Sequence, residues 1–166
     1  MARSRPAVTA YDNPLDMIEF VADARDWPFD RVGEDEISVA VAGKWAHYQV
    51  SFSWHHELEG LHLACAFDFK VPDPRSGEVY RLIAHINEQL WLGHFDIWSS
   101  EGILMFRNGL LLCGDAQATA DQCEGMLQLA VDACERYFPA FQYVIWAGRS
   151  AEEAVRSALF EPAGRA

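Results

Sequence analysis

Three histidines and a cysteine fall within eleven positions, His55 to Cys65, of the stretch SFSWHHELEGLHLACAF at residues 51–67. Imidazole and thiolate are common ligands of borderline cations, so a metal site is the first chemistry this spacing offers. Strand alternation sorts the candidates. Phe52, Trp54, Leu63 and Cys65 must share one face, so the numbers of paired residues sum to an odd total. A four-residue loop ELEG meets that condition, with His56 opposite Leu61 and His55 opposite His62 on the polar face. Cys65 then points the other way, and His56 borders the covered face. The candidate metal set is therefore His55 and His62, with Glu57 from the loop as a third ligand. Two imidazoles and a carboxylate would make an open zinc or iron site. The competing reading is a solvated histidine pair at the wet end of a hairpin. No H-x-x-x-H on a helix supports the metal, so the pair reading is preferred and no cofactor is expected.

Other catalytic signatures are missing. The chain has no G-x-S-x-G, no G-x-x-x-x-G-K and no G-x-G-x-x-G. Glu34, Asp35 and Glu36 fall in a turn and read as solvated charges rather than a tuned acid pair. A non-enzyme is expected, with a metal-dependent enzyme using His55 and His62 as the alternative.

Positioning these residues requires a folded domain, and the composition supplies one. The 166 residues are 51% hydrophobic and 23% charged, within the globular range. Lys and Arg number 13 against 25 Asp and Glu, a net charge of −12. That balance disfavours nucleic acid and anionic membrane surfaces as partners. MARSRPAVTAYDNP lacks the apolar core of a signal peptide, and no apolar run approaches the ~18 residues of a membrane span. A cytoplasmic location is the expectation. Cys65, Cys113, Cys123 and Cys134 form no C-x-x-C and read as reduced thiols, with Cys65, Cys123 and Cys134 on apolar faces.

Residues 1–12 show no periodicity and are expected to be disordered; residues 13–166 read as one domain. Asn13 caps a helix with Pro14 at its first position, ending near Trp27 before Pro28. FDRV, EISVAVAG, WAHYQVSFSWH and LHLACAFDFKV then alternate as strands. An amphipathic helix follows from about Glu78 to Leu92, terminated by Gly93. HFDIWS and GILMFRNGLLLC are two more strands, the second expected to be one long strand with a bulge at Asn108-Gly109. A helix from Thr119 to Phe138 is interrupted by Pro139, AFQYVIWAG is ambiguous, and Ser150 caps a last helix with Glu153 at the capping-box position. The order α-ββββ-α-ββ-α-α reads as α+β, an antiparallel sheet with helices packed on one face.

Six tryptophans are many for this length, and aromatic anchors centre most interfaces. Parity puts Trp45 on the polar face with His47, while Arg81, His85 and Glu88 lie on the outer side of the helix 78–92. With Trp98 after that helix, these form the candidate partner or dimer surface.

ELEGLHLACAFDFKVP, EVYRLIAHINEQLWLGHFDIW, GILMFRNGLLL and CERYFPAFQYVIWAGRSAEEAV together resemble the YbjN domain family of bacterial proteins. The resemblance spans about residues 14–160 and rests on packing and capping patterns. It implies a fold similar to type III secretion chaperones, which are usually dimeric, and a sensory-transduction regulator rather than an enzyme. It carries over no catalytic residue. The function expected is a regulatory or chaperone-like protein-binding module, a homodimer through helix 78–92 with an unidentified protein partner. A small-molecule sensor with its ligand between sheet and helices is a further alternative.

Overall fold

The computed structural model describes residues 13–160, with side chains through Ala158; segments 1–12 and 161–166, including the stretch expected to be disordered, lie outside the described residues. Helix α1 (Pro14–Ala24) opens as the sequence dictates, with the Asn13 side chain accepting the Leu15 N–H at 2.9 Å. It closes before Trp27. Asp26 turns left-handed at φ 55°, and the Trp27 N–H returns to the Ala22 carbonyl at 2.9 Å, satisfying the last turn.

Strands β1 (Phe29–Val32), β2 (Glu36–Ala42), β3 (His47–His55) and β4 (Gly60–Lys70) follow as a meander. Helix α2 (Ser76–Asn87), strands β5 (His94–Trp98) and β6 (Ile103–Leu111), and helices α3 (Ala120–Ile145) and α4 (Ala151–Phe160) complete the order. All pairings are antiparallel, and the strands lie in the order β1-β2-β3-β4-β6-β5. One face carries Ile37, Val39, Val50, Phe52, Leu63, Cys65, Phe95 and Phe106 into a core with α1, α2 and α3. Phe67 sits at its centre, with the rings of Tyr48, Phe69, Phe95, Phe138 and Phe141 all within 6.3 Å centroid to centroid. Fully burying each such ring contributes about 1.5–3 kcal/mol.

Four local expectations are corrected. The β3–β4 loop is HELE, not ELEG: His56–Leu58 form a 3₁₀ turn and Glu59 turns left-handed at φ 49°, so His55 pairs with Gly60. The register moves by two, which leaves every face as expected but sets Ser53, not His55, opposite His62. Strand β6 is one strand, but pairing runs unbroken through Asn108 and Gly109; the irregularity lies in β4 between Ala66 and Lys70. Gly109 is not at positive φ, so nothing there makes the left-handed residue a bulge of that kind needs.

Helix α2 stops at Asn87 rather than Leu92, because the Asn87 side chain leaves the helix to bond both backbone groups of Phe95, at 2.8 and 3.1 Å. Gly93 then turns at φ 71° with no room for a Cβ, which would meet the Phe106 ring and, at 2.8 Å, the Arg107 carbonyl.

Pro139 does not interrupt the long helix. It lies inside α3, whose buried stripe runs on through Tyr137, Phe138, Ala140, Phe141, Val144 and Ile145. An interior proline costs about 3 kcal/mol, and each large apolar side chain buried gains about 1.5–3 kcal/mol, so burial of the last two turns outweighs it.

Candidate partner-binding surfaces

The expected metal ligands are separated by the register. His55 turns its Nδ1 back to the Leu58 N–H at 3.4 Å, inside its own turn. His62, opposite Ser53, accepts the Arg107 Nε–H at 3.1 Å through Nε2, and Glu57 is exposed in the 3₁₀ turn. His56, expected opposite Leu61 at the border of the covered face, lies instead in the 3₁₀ turn with its side chain 63% exposed, accepting the Trp54 Nε1–H at 3.0 Å and meeting Asp35 at 2.9 Å; Trp54 takes the place opposite Leu61. Among the described residues, no group of three or more His, Cys, Asp or Glu side chains is placed to hold a metal ion. Cys65 and Cys134 meet in the core with their sulfurs 3.7 Å apart, and Cys123 is buried, its thiol pushed up to about 12 by desolvation.

The four helices described all lie on one side of the sheet, and among the described residues no helix covers its other face. Pairing places Ser51 and Ser53 of β3 beside Ala64 and His62 of β4, and Ala64 and Ala66 beside Arg107 and Met105 of β6. Small side chains in the middle and larger ones at the margin leave a concavity of about 690 Å³. Its margin carries Glu36, His62, Asp96, Trp98, Met105 and Arg107. Arg107 organises the polar part, bonding His62 and reaching Asp96 at 3.4 Å. Accepting from Arg107 requires Nε2 to be unprotonated. Burial, then the charges of Arg107 and His94, hold the His62 imidazolium below its usual range. The apolar part is Trp98, 59% exposed, with Ile103 beside it in the pairing and Met105 nearly buried.

The six residues expected to form a partner or dimer surface fall in three places. His47 and Trp98 belong to the bare sheet face. Arg81, His85 and Glu88 lie on α2 and the turn after it. Arg81 pairs with Glu78 at 2.9 Å, while His85 and Glu88 edge a small cleft of about 160 Å³ against Tyr137 and Val155. The other Glu78 oxygen accepts the Ala151 N–H at 2.9 Å, and chiefly that bond holds its carboxyl below the usual carboxylate range. Trp45 is the correction: it precedes β3, in the β2–β3 turn, and stacks on Phe138 of α3, ring centroids 6.4 Å apart and nearly parallel. Alternation fails there because the chain has already left the strand. Glu135 of α3 fixes this turn, accepting from the Lys44 and Trp45 N–H groups at 2.9 and 3.1 Å and from the Tyr48 hydroxyl at 2.6 Å.

Sequence reasoning missed Asp96, Met105 and Arg107 as surface residues, although parity in β6 places Ile103, Met105 and Arg107 together away from the core. It also ran α2 through Trp91, 99% exposed, and Leu92, 61% exposed, which lie beyond the helix.

The YbjN family model, described as "Putative bacterial sensory transduction regulator", matches residues 14–143. No curated protein matches the chain. Among solved structures, "YbjN, a putative transcription regulator from E. coli" is similar with a TM-score of 0.55 at 9% identity, covering 76% of this chain and 90% of that one. A chain of the ExsC–ExsE complex is similar with a TM-score of 0.54 at 18% identity, covering 74% of this chain and 88% of that one. At such identities the likeness is one of fold. No described helix is long and apolar enough to cross a membrane.

Proposed function

The chain belongs to the YbjN family, and on that premise we propose that it is a non-catalytic regulatory module that holds another polypeptide, in a chaperone-like manner. The observation that carries this reading is the bare sheet face. A six-stranded sheet that the described helices cover on one side presents a concave floor of small residues, an aromatic and thioether margin and the Arg107 network. Polar groups paired to one another and an indole left to water at Trp98 make a surface suited to an apolar partner with a polar rim. The fold neighbour seen in the ExsC–ExsE complex supports the same reading by analogy of architecture. The module works as a cytoplasmic homodimer in this proposal, with α2 and the exposed Trp91 and Leu92 at the contact between copies.

Affinity purification from the native host, with the partner identified by mass, tests the reading, together with sedimentation of the purified chain. A polypeptide retained by the protein and lost on Trp98→Ala and Met105→Glu supports it. A lone monomer with no polypeptide partner refutes it.

A further inference from the structure

Among the described residues, Arg107 is the one permanent cation lining the sheet-face concavity, and its donors are incompletely used. A guanidinium carries five N–H donors and no acceptor. The Nε–H goes to His62, and Nη1 reaches Asp96 only at 3.4 Å, beyond the ~2.7–2.9 Å of a well-formed charge-assisted pair. Among the described residues, no hydrogen bond reaches Nη2. Arg31 of β1 shows the contrast. Its Nη1 holds Asp16 at 2.5 Å and Glu19 at 3.0 Å, and its side chain is 20% exposed against 40% for Arg107. One arginine of this chain thus takes two carboxylates, while Arg107 has a loose hold on one. The bond to His62 ties down the Nε side and leaves the Nη groups for another acceptor.

The apolar neighbours lie in register with it. Arg107, Met105 and Ile103 are two apart along β6 and share the exposed face, about 7 Å from one to the next. Ala64 flanks Arg107 and Ala66 flanks Met105 from β4, so the floor is low, and Trp98 stands beside Ile103 from β5. The backbone groups of β4 and β6 are paired within the sheet, so selection on this face falls to side chains.

Resting on the binding reading above, we propose that the polypeptide held on this face is anchored by a carboxylate, an Asp or Glu seated on the Nη groups of Arg107. Large apolar side chains two and four positions away then cover Met105 and the Ile103–Trp98 pair. Asp96 keeps its place beside the guanidinium, as Asp16 and Glu19 share Arg31. The net charge of −12 favours basic partners at long range, but charges more than ~8 Å away are screened at physiological salt, and the near cation decides the contact.

The test uses the full chain and the fluorescein-labelled peptide Phe-Ser-Leu-Ser-Glu-Ser, read by anisotropy. Saturable binding is expected, weakened about tenfold or more by Arg107→Gln. Arg156→Gln, which removes the same charge from the exposed surface of α4, should leave it unchanged. Replacing the peptide glutamate by glutamine should weaken binding as much, and the two changes together should cost little more than either alone. Moving that glutamate one position turns it to the other side of an extended segment and should have the same effect. Arg107→Lys keeps the charge without the planar fork and should lose less than Arg107→Gln. Circular dichroism checks the fold of each variant, and the peptide changes need no variant at all. No saturable binding, equal binding of the glutamine or displaced-glutamate peptide, or indifference to Arg107→Gln overturns the proposal. So does a dimer in sedimentation that the peptide dissociates, which would give this face to a second copy. A native partner retained equally by the wild type and by Arg107→Gln ends this proposal and leaves the binding reading standing; no native partner at all ends the binding reading.

Discussion

Removing the Glu135 carboxylate should destabilise the domain by about 2.5–5 kcal/mol, more than its half-exposed position suggests. Its three bonds differ in value. The N–H groups of Lys44 and Trp45 are exposed and recover most of their loss by bonding water, so each contributes roughly 0.5–1 kcal/mol. Tyr48 is 1% exposed, and its hydroxyl donates to Glu135 at 2.6 Å, a charge-assisted bond. Such a bond is worth about 1.5–3 kcal/mol. In Glu135→Ala the phenol loses its acceptor, and the turn that carries Trp45 onto Phe138 loses its tether. Urea denaturation followed by far-UV circular dichroism gives the free energy from the midpoint at constant slope. Tyr48→Phe supplies the second arm of a double-mutant cycle, and the coupling should be about 1 kcal/mol or more. Glu135→Gln keeps an acceptor of the same shape and should recover about half the loss. A loss below about 0.5 kcal/mol for Glu135→Ala, or strict additivity with Tyr48→Phe, would refute the reasoning. Burial first, and Glu135 second, push the Tyr48 phenol well above its usual range, so this stability is present below the ordinary phenol value of 10.0 and is lost as pH rises past it.

Gly93→Ala should cost about 3 kcal/mol or more, since it meets both the positive φ and the Arg107 carbonyl, and a drop in thermal midpoint measures it. Pro139→Ala restores an N–H inside α3 and should raise stability by about 1–3 kcal/mol; an unchanged urea midpoint would show that the helix has fully accommodated the ring. His62 should titrate below the ordinary imidazole value of 6.5 by NMR and move up towards it in Arg107→Ala. Because the folded value is the lower one, its contribution is full above 6.5 and is lost as pH falls from there through the folded value. A His62 resonance that ignores Arg107→Ala would show that the bond between them does not form in solution.

Faces were legible in the sequence wherever alternation or helical period acted alone. Phe52, Trp54, Leu63 and Cys65 of β3 and β4, placed together by parity, are on the core side, and so are the cysteines of the helix 119–138 stripe. Ends and registers were less so, because they are set by single side chains acting at a distance. Asn87 ends α2 by reaching a strand that comes eight residues later in the chain. The 3₁₀ turn and the left-handed Glu59 tighten a loop whose parity allowed two lengths, and the choice between them moved His55 away from His62. Pro139 was read by its local rule, and tertiary burial overrode it. For the candidate surface, Trp98 and His47 were placed on the right face, whereas Trp45 was assigned by extending a strand pattern into a turn. The bareness of the sheet face could not be read at all, since it depends on where helices far along the chain come to rest.

Asn87 also sets how many strands this sheet can accept. A sheet with two open edges is bifunctional and can propagate from molecule to molecule without limit, as fibrils do. Closing the β5 edge leaves the described sheet at most one open edge, so edge-to-edge pairing cannot run on from molecule to molecule. A carboxamide on the last turn of a helix thus acts as a chain terminator for sheet growth.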